Sequence, residues 1–246
     1  MHGHPAKTRT GPIAPEILLL AYRSGIFPMA DSREDENVFW VEPRERAIFP
    51  LDGLHVSRSL AKRLKRGEYR VTIDTAFEQV MHACAAPRAD HPESWISGRI
   101  VESYTALHRA GHAHSIECWR GEELVGGLYG VAFDRVFCGE SMFARATDAS
   151  KVALCWLVGL MRRGGGELLD CQFMTEHLAS LGAVAMPQAD YIALLGDAMR
   201  SASEAAPMMD LRGAYASLLS EASSAGADGA PSSPGKLIAQ DLTQTS

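Results

Sequence analysis

No apolar run in this 246-residue sequence suggests a bilayer crossing; Ile17-Leu18-Leu19-Leu20-Ala21, for instance, falls far short of the roughly 20 residues a spanning helix needs. The opening Met1-His2-Gly3-His4-Pro5 has no apolar core of the signal-peptide kind, so no secretory signal is expected. Disulfide and zinc frameworks are missing as well. Cys84, Cys118, Cys138, Cys155 and Cys171 are odd in number, widely spaced and free of any C-x-x-C pair, which reads as reduced, buried thiols in a cytoplasmic protein. There is no G-x-S-x-G, no P-loop and no dinucleotide fingerprint, and no internal repeat. An excess of positive charge is absent too. A formal net charge of -6 argues against general nucleic-acid binding, although binding follows local patches rather than the average surface.

What is present is an ordinary globular composition, 46% hydrophobic and 22% charged, enough for one large domain with a small N-terminal addition. Residues 1–14 are polar and aperiodic and are expected to be a disordered lead. A helix from Pro15 to Gly25, a rigid Ile26-Phe27-Pro28 exit, an acidic loop and the aromatic Val38-Phe39-Trp40-Val41-Glu42-Pro43 predict a small module over 15–50. Ser57 is placed to cap a basic helix over 58–66, closed by Gly67. A strand at 69–73 and helices at 76–85 and 99–110 follow. Then come strands at 114–120, 123–132 and 135–142, separated by hairpin-length turns. A long helix over 149–163, a strand over 167–172 and helices over 175–181 and 189–200 complete a domain over 51–205. This order predicts an α+β fold with a mixed sheet flanked by helices. The Ala-, Ser- and Gly-rich residues 221–246 are expected to stay disordered.

Four features carry possible chemistry. Glu140 in Gly139-Glu140-Ser141-Met142-Phe143 leaves an apolar strand, where a carboxylate needs a partner or a task; a solvated strand end fits the spacing equally well. Asp170 and Gln172 end the apolar Leu168-Leu169-Asp170-Cys171-Gln172, two apart and so on one face of a strand. For a lone Asp, capping the next helix is the commoner role. Arg58, Lys62, Lys65 and Arg66 gather on one side of a helix, suited to phosphates; most such runs are merely solvated. Trp40 and Trp95 lie in loop-like contexts where a flat ring can stack on a base, while Trp119 and Trp156 sit in periodic elements as core residues do. His112 and His114 share a strand face, but no third residue is spaced to complete a zinc site, and no metal or other cofactor is expected.

In order along roughly residues 15–200, the segments from Leu18 to Pro28, His55-Val56-Ser57-Arg58-Ser59, Ser94-Trp95-Ile96 and Gly111-His112-Ala113-His114-Ser115-Ile116-Glu117 resemble the bacterial leucyl/phenylalanyl-tRNA–protein transferases. So do Leu124–Val131, Phe137–Phe143, Ala149-Ser150-Lys151, Asp170-Cys171-Gln172 and Ser180-Leu181-Gly182-Ala183. The resemblance implies an acetyltransferase-like (GNAT) catalytic domain behind the small module. It implies transfer of Leu or Phe, and less readily Met, from aminoacyl-tRNA to proteins beginning with Arg or Lys, marking them for N-degron degradation. By the same resemblance Asp170 and Gln172 are the catalytic pair and Glu140 sits in the acceptor site. Trp40 and Trp95 hold the terminal adenosine, and Leu128, Phe137 and Met142 line the amino-acid pocket. The basic helix suits sequence-blind contacts to the acceptor stem. A monomer without membrane contact is expected. Gln172 is no base and an ordinary Asp is a poor one, so an orienting relay from Asp170 through Gln172 is expected rather than strong general-base catalysis. The departures lie at the ends: Thr10-Gly11-Pro12-Ile13-Ala14-Pro15, and Met29-Ala30-Asp31 after Pro28. Two other readings stay open on the residues alone. One is an acetyl-CoA-dependent transferase, against which the helix opening at Arg145–Lys151 lacks the expected glycines. The other is a tRNA-binding module whose acids are structural.

Overall fold

Pro15 at the first helical position opens α1 (Pro15–Arg23), which buries Leu18, Ala21 and Tyr22 and turns out through Gly25 at φ 77°. The computed structural model describes residues 11–87, 93–200, 208–225 and 233–243. After α1, β1 (Phe27–Met29) and β2 (Phe39–Val41) pair as a separate two-stranded ribbon. The chain then runs through β3 (Glu45–Phe49), α2 (Arg58–Arg66), β4 (Arg70–Ile73), α3 (Phe77–Ala85) and α4 (Gly98–Arg109). The antiparallel meander β5 (Ala113–Arg120), β6 (Glu123–Phe133) and β7 (Val136–Ala144) follows. Next come α5 (Ala149–Arg163), β8 (Leu168–Gln172), α6 (Glu176–Leu181), β9 (Val184–Pro187), α7 (Gln188–Arg200), α8 (Leu211–Ala225) and α9 (Pro234–Thr243).

Seven strands form one sheet in the order β4-β5-β6-β7-β8-β3-β9. Every neighbouring pair is antiparallel except β7 and β8, which run parallel with α5 as the crossover. Two apolar layers cover the sheet. One joins α2, α5, α8 and α9 through residues such as Leu60, Trp156, Leu218 and Ile238; the other joins α1, α3, α4 and α7 through Tyr22, Met81, Tyr104 and Tyr191. α5 is apolar nearly all round because it lies between the sheet and the C-terminal helices. The α+β class and the helix-flanked mixed sheet expected from the sequence are observed.

Three boundaries move. The small module was expected to reach residue 50, but β3 is an interior strand of the main sheet, paired with β8 on one side and β9 on the other. Residues 1–10 of the expected disordered lead lie outside the described residues. Its end is packed: Ile13 is buried and donates its N–H to Ser103 Oγ at 2.9 Å. The expected disordered tail, 221–246, instead contributes the end of α8 and all of α9, its residues 226–232 and 244–246 lying outside the described ones. Leu237, Ile238, Ala239 and Leu242 of α9 are buried, each large side chain worth roughly 1.5–3 kcal/mol when fully enclosed. Arg163 clamps this end by pairing with Asp241 and Glu221. A few well-placed aliphatics thus outweigh a composition that is weak on average.

α2 is capped as expected, the Ser57 hydroxyl accepting the Leu60 N–H at 3.2 Å and Gly67 closing the helix at φ 60°. It buries only Leu60 and Leu64, against α9 and α5. Nine residues are too few to hold a helix unaided, so these neighbours hold the basic face in place.

Candidate active site

β7 and β8 stay hydrogen-bonded for only three rungs, Val136↔Leu168, Phe137↔Leu169 and Cys138↔Asp170. Beyond that point β7 follows β6 alone, so the sheet opens where two parallel strands present their carboxyl ends. The residues two positions past the last rung are Glu140 and Gln172, and they meet: Gln172 Nε2 donates to Glu140 Oε1 at 3.1 Å.

Asp170 is fully buried (0% exposed) and every contact fixes it in place. Arg46, also 0% exposed, clamps it through Nε to Oδ1 at 2.8 Å and Nη2 to Oδ2 at 2.5 Å. Tyr191 donates its hydroxyl to Oδ2 at 3.1 Å. Oδ1 also receives the backbone N–H of Gln172 at 2.9 Å. The Arg46 guanidinium lies against the Phe27 and Tyr191 rings and donates to the Gly25 carbonyl. Asp170 therefore holds the backbone of Gln172 rather than its side chain. Gln172 sits at φ 55°, a left-handed conformation that a non-glycine residue adopts only when its surroundings impose it. That kink ends the simple alternation expected for Asp170 and Gln172. One side chain points back to Arg46 and the other forward to Glu140.

Glu140 stands in a different environment. Its Oε2 accepts the Tyr104 hydroxyl at 3.2 Å, and Tyr104 is in turn hydrogen-bonded to Tyr22. Burial pushes the Glu140 carboxyl up to about 8; the charge of Asp170 adds to the rise, while the tyrosine hydroxyls and Arg46 oppose it. A carboxyl so raised exchanges its proton near neutral pH.

Both side chains face a cavity of about 800 Å³. Its walls are largely apolar: Leu128 and Met142 from the sheet, Leu154 and Leu157 from α5, Leu169 from β8 and Leu178 from α6. Phe27, Met29, Trp95 and Phe173 also line it, so the N-terminal ribbon contributes to the same hollow.

Of the residues singled out in the sequence, Glu140, Gln172, Trp95, Leu128 and Met142 border this cavity and Asp170 stands directly behind it. Phe137 does not reach it. That ring is fully buried and packs on Gly130, where an added Cβ would meet it at 2.4 Å; Phe137 is core, not pocket. Trp40 also stays outside. It is 42% exposed and pairs with Pro28, the strand position between the cavity-lining Phe27 and Met29, so it faces away from them. Arg58, Lys62, Lys65 and Arg66 are exposed along α2 and line no part of the cavity. α2 is nonetheless tied to the cavity wall, because Arg63 pairs with Asp148 at the head of α5 at 3.5 Å.

The site residue that sequence reasoning missed is Arg46. A lone basic residue leading into Ala47-Ile48-Phe49 was the available signal, but its meaning depends on β3 pairing with β8 across more than a hundred residues.

Comparison with known proteins finds matches over most of the chain. The family model described as leucyl/phenylalanyl-tRNA protein transferase matches residues 48–196, and the model for the N-terminal domain of the same family matches residues 11–44. A leucyl/phenylalanyl-tRNA–protein transferase from Novosphingobium aromaticivorans is 58% identical over 255 residues, covering 95% of this chain and 97% of its own. Proteins of the same name from Rhizorhabdus wittichii and Cereibacter sphaeroides are 55% and 52% identical. They cover 76% and 79% of this chain and 75% and 89% of their own lengths.

Proposed function

Because this chain belongs to the leucyl/phenylalanyl-tRNA–protein transferase family, we propose that its cavity moves Leu or Phe, and less readily Met, from aminoacyl-tRNA to the N-terminal Arg or Lys of a protein. The observation that carries the reading is an apolar hollow whose polar edge is the Glu140–Gln172 pair. The apolar walls take the amino-acid side chain. One methylene in such a pocket discriminates by only roughly 1–3 kcal/mol, so choice among unbranched-at-Cβ side chains is soft.

The donor ester is already activated, and the enzyme's task is to position it against a neutral amine. An α-amine has a pKa of about 8, so most of it is protonated at neutral pH. Glu140, raised to about 8, matches it. Proton exchange between the two is close to isoenergetic, which suits general acid–base work better than the weak relay expected from Asp170 and Gln172 alone. The amine nitrogen attacks the ester carbonyl carbon, and Glu140 takes the amine proton. As the bond from that carbon to the ribose oxygen breaks, Glu140 returns the proton to the oxygen. The products are an amide and an uncharged tRNA end. Gln172 spends its NH₂ on Glu140, leaving Oε1 to accept from the incoming amine. Asp170 and Arg46 hold that amide in place and are positioning residues.

Trp95 stacks on the donor's terminal base, and Trp40 serves the same end from outside the cavity. Arg58, Lys62, Lys65 and Arg66 meet acceptor-stem phosphates. The antiparallel meander followed by a parallel β7–α5–β8 crossover supports an acetyltransferase-like arrangement. The new N-terminal Leu or Phe marks the acceptor for the N-degron pathway. The family reading makes the protein a cytoplasmic monomer, and its free thiols suit a reducing compartment; among the described residues no helix is long and apolar enough to cross a membrane. The test is transfer of radiolabelled leucine from tRNA to an Arg-initiated peptide, with acetyl-CoA unable to replace the donor. Acetylation of the peptide in its place would remove the reading.

A further inference from the structure

α5 begins without a side-chain cap. Asp148 precedes it at φ 60° and makes no side-chain hydrogen bond to the first turn. Its carboxylate instead holds Lys151 at 3.0 Å and Arg63 of α2 at 3.5 Å. Ala149 N–H is taken by the Ala146 carbonyl and Val152 N–H by Asp148. Among the described residues the N–H groups of Ser150 and Lys151 have no acceptor, so the positive end of a 15-residue helix is left bare.

A second observation points to a ligand. Ser150 is only 9% exposed and lines the cavity, and among the described residues its hydroxyl makes no hydrogen bond. It shares a helix face with Leu154 and Leu157, which line the same cavity one and two turns on. Opening onto the cavity, that hydroxyl can donate to or accept from a polar group that enters it. Across the opening His177 also lines the cavity. Burial and the neighbouring Lys151 charge push its pKa down, which keeps it a neutral donor or acceptor near pH 7.

We propose that the head of α5, with the Ser150 hydroxyl, the Ser150 and Lys151 amides and the Lys151 ammonium, binds a phosphate group of the donor RNA's 3′ end. The assignment rests on the transferase reading above. An anion at this point meets bare amides, a helix dipole, one unpaired hydroxyl and the Lys151 ammonium, while the Asp148 carboxylate beside them is offset by its pairs with Lys151 and Arg63. The place also makes sense of the route. Stem phosphates on α2 lead through Arg63 and Asp148 to α5, and the ester then falls inside the cavity while its phosphate stays at the rim.

The test compares two minimal donors, phenylalanyl-adenosine and the same compound carrying a 5′-phosphate, by kcat/KM with an Arg-initiated peptide. The wild-type protein is expected to favour the phosphorylated donor by about tenfold, the effect of one charge-assisted contact. Lys151→Ala and, separately, Ser150→Ala bring that ratio toward one, and Lys151→Arg restores much of it. A wild-type ratio near one, or a ratio untouched in both alanine variants, overturns the site. Turnover of neither donor by the wild-type protein, alongside failure with intact charged tRNA, overturns the transferase reading itself.

Discussion

Two carboxylates stand on neighbouring strand ends, and their surroundings give them opposite tasks. Asp170 has no exposure, a bidentate guanidinium, a tyrosine hydroxyl and a backbone N–H, so nothing about it is free to move or react. Glu140 lines the cavity with two tyrosines in its hydrogen-bond chain and the Gln172 amide beside it, and burial lifts its carboxyl to about 8. The lesson is that an acid at the end of an apolar strand is not one kind of residue. A cation in contact makes it scaffolding; without one, burial leaves it able to exchange a proton near neutral pH.

The comparison breaks most violently if the lock is opened from the cation's side. Arg46→Met leaves Asp170 buried and uncompensated, and urea unfolding should show a loss of roughly 3–5 kcal/mol. A change below 1 kcal/mol would mean that Asp170 does not need its partner. Next in size is Glu140→Gln, which keeps the shape and removes the proton carrier; kcat should fall by about 10²–10³-fold while tRNA affinity holds. Its pH behaviour sharpens the contrast. A carboxyl whose folded value lies above its unfolded one binds an extra proton in the native state, so wild-type stability declines as pH rises from about 4.5 to about 8. The Gln variant lacks that decline, and thermal melts at pH 5 and pH 8 compare the two directly.

Asp170→Ala should lower transfer by about 100-fold through misplacement of Gln172, with tRNA binding close to wild type. Lost binding would assign Asp170 to the RNA instead. Neutralising Arg58, Lys62, Lys65 and Arg66 together leaves both acids untouched, weakens tRNA affinity and flattens its dependence on salt; an unchanged salt slope takes α2 out of the RNA site. The smallest effect belongs to Tyr104→Phe. Removing a hydroxyl that favours the Glu140 anion should move the acid-side midpoint of the pH–rate profile upward, by less than one unit. A downward move contradicts the proton-carrier role.

Which parts of this were legible in the sequence follows from what short-range pattern can carry. Glu140, Asp170 and Gln172 were visible because each interrupts an apolar strand, and such interruptions are local. Arg46 was not, since its significance lies in a register, Ala47↔Gln172, that no periodicity encodes. Phe137, assigned to the pocket by resemblance, presses instead on Gly130, and the strand's apolar pattern cannot tell a ring that faces a cavity from one that packs on a glycine of the next strand. The cavity face of α5 was hidden for a related reason: a helix buried nearly all round gives no hint of which stripe, Ser150-Leu154-Leu157, borders empty space. The tail misled through averages, its few aliphatics diluted by Ala, Ser and Gly yet spaced to fit α2 and α5.

The seating of α9 on α2 has a temporal consequence. A ribosome emits α2 long before the helix that braces it. Until α9 emerges, the nascent chain therefore carries its positive stripe on a nine-residue segment too short to stay wound alone. The basic face is set only once that later helix has docked.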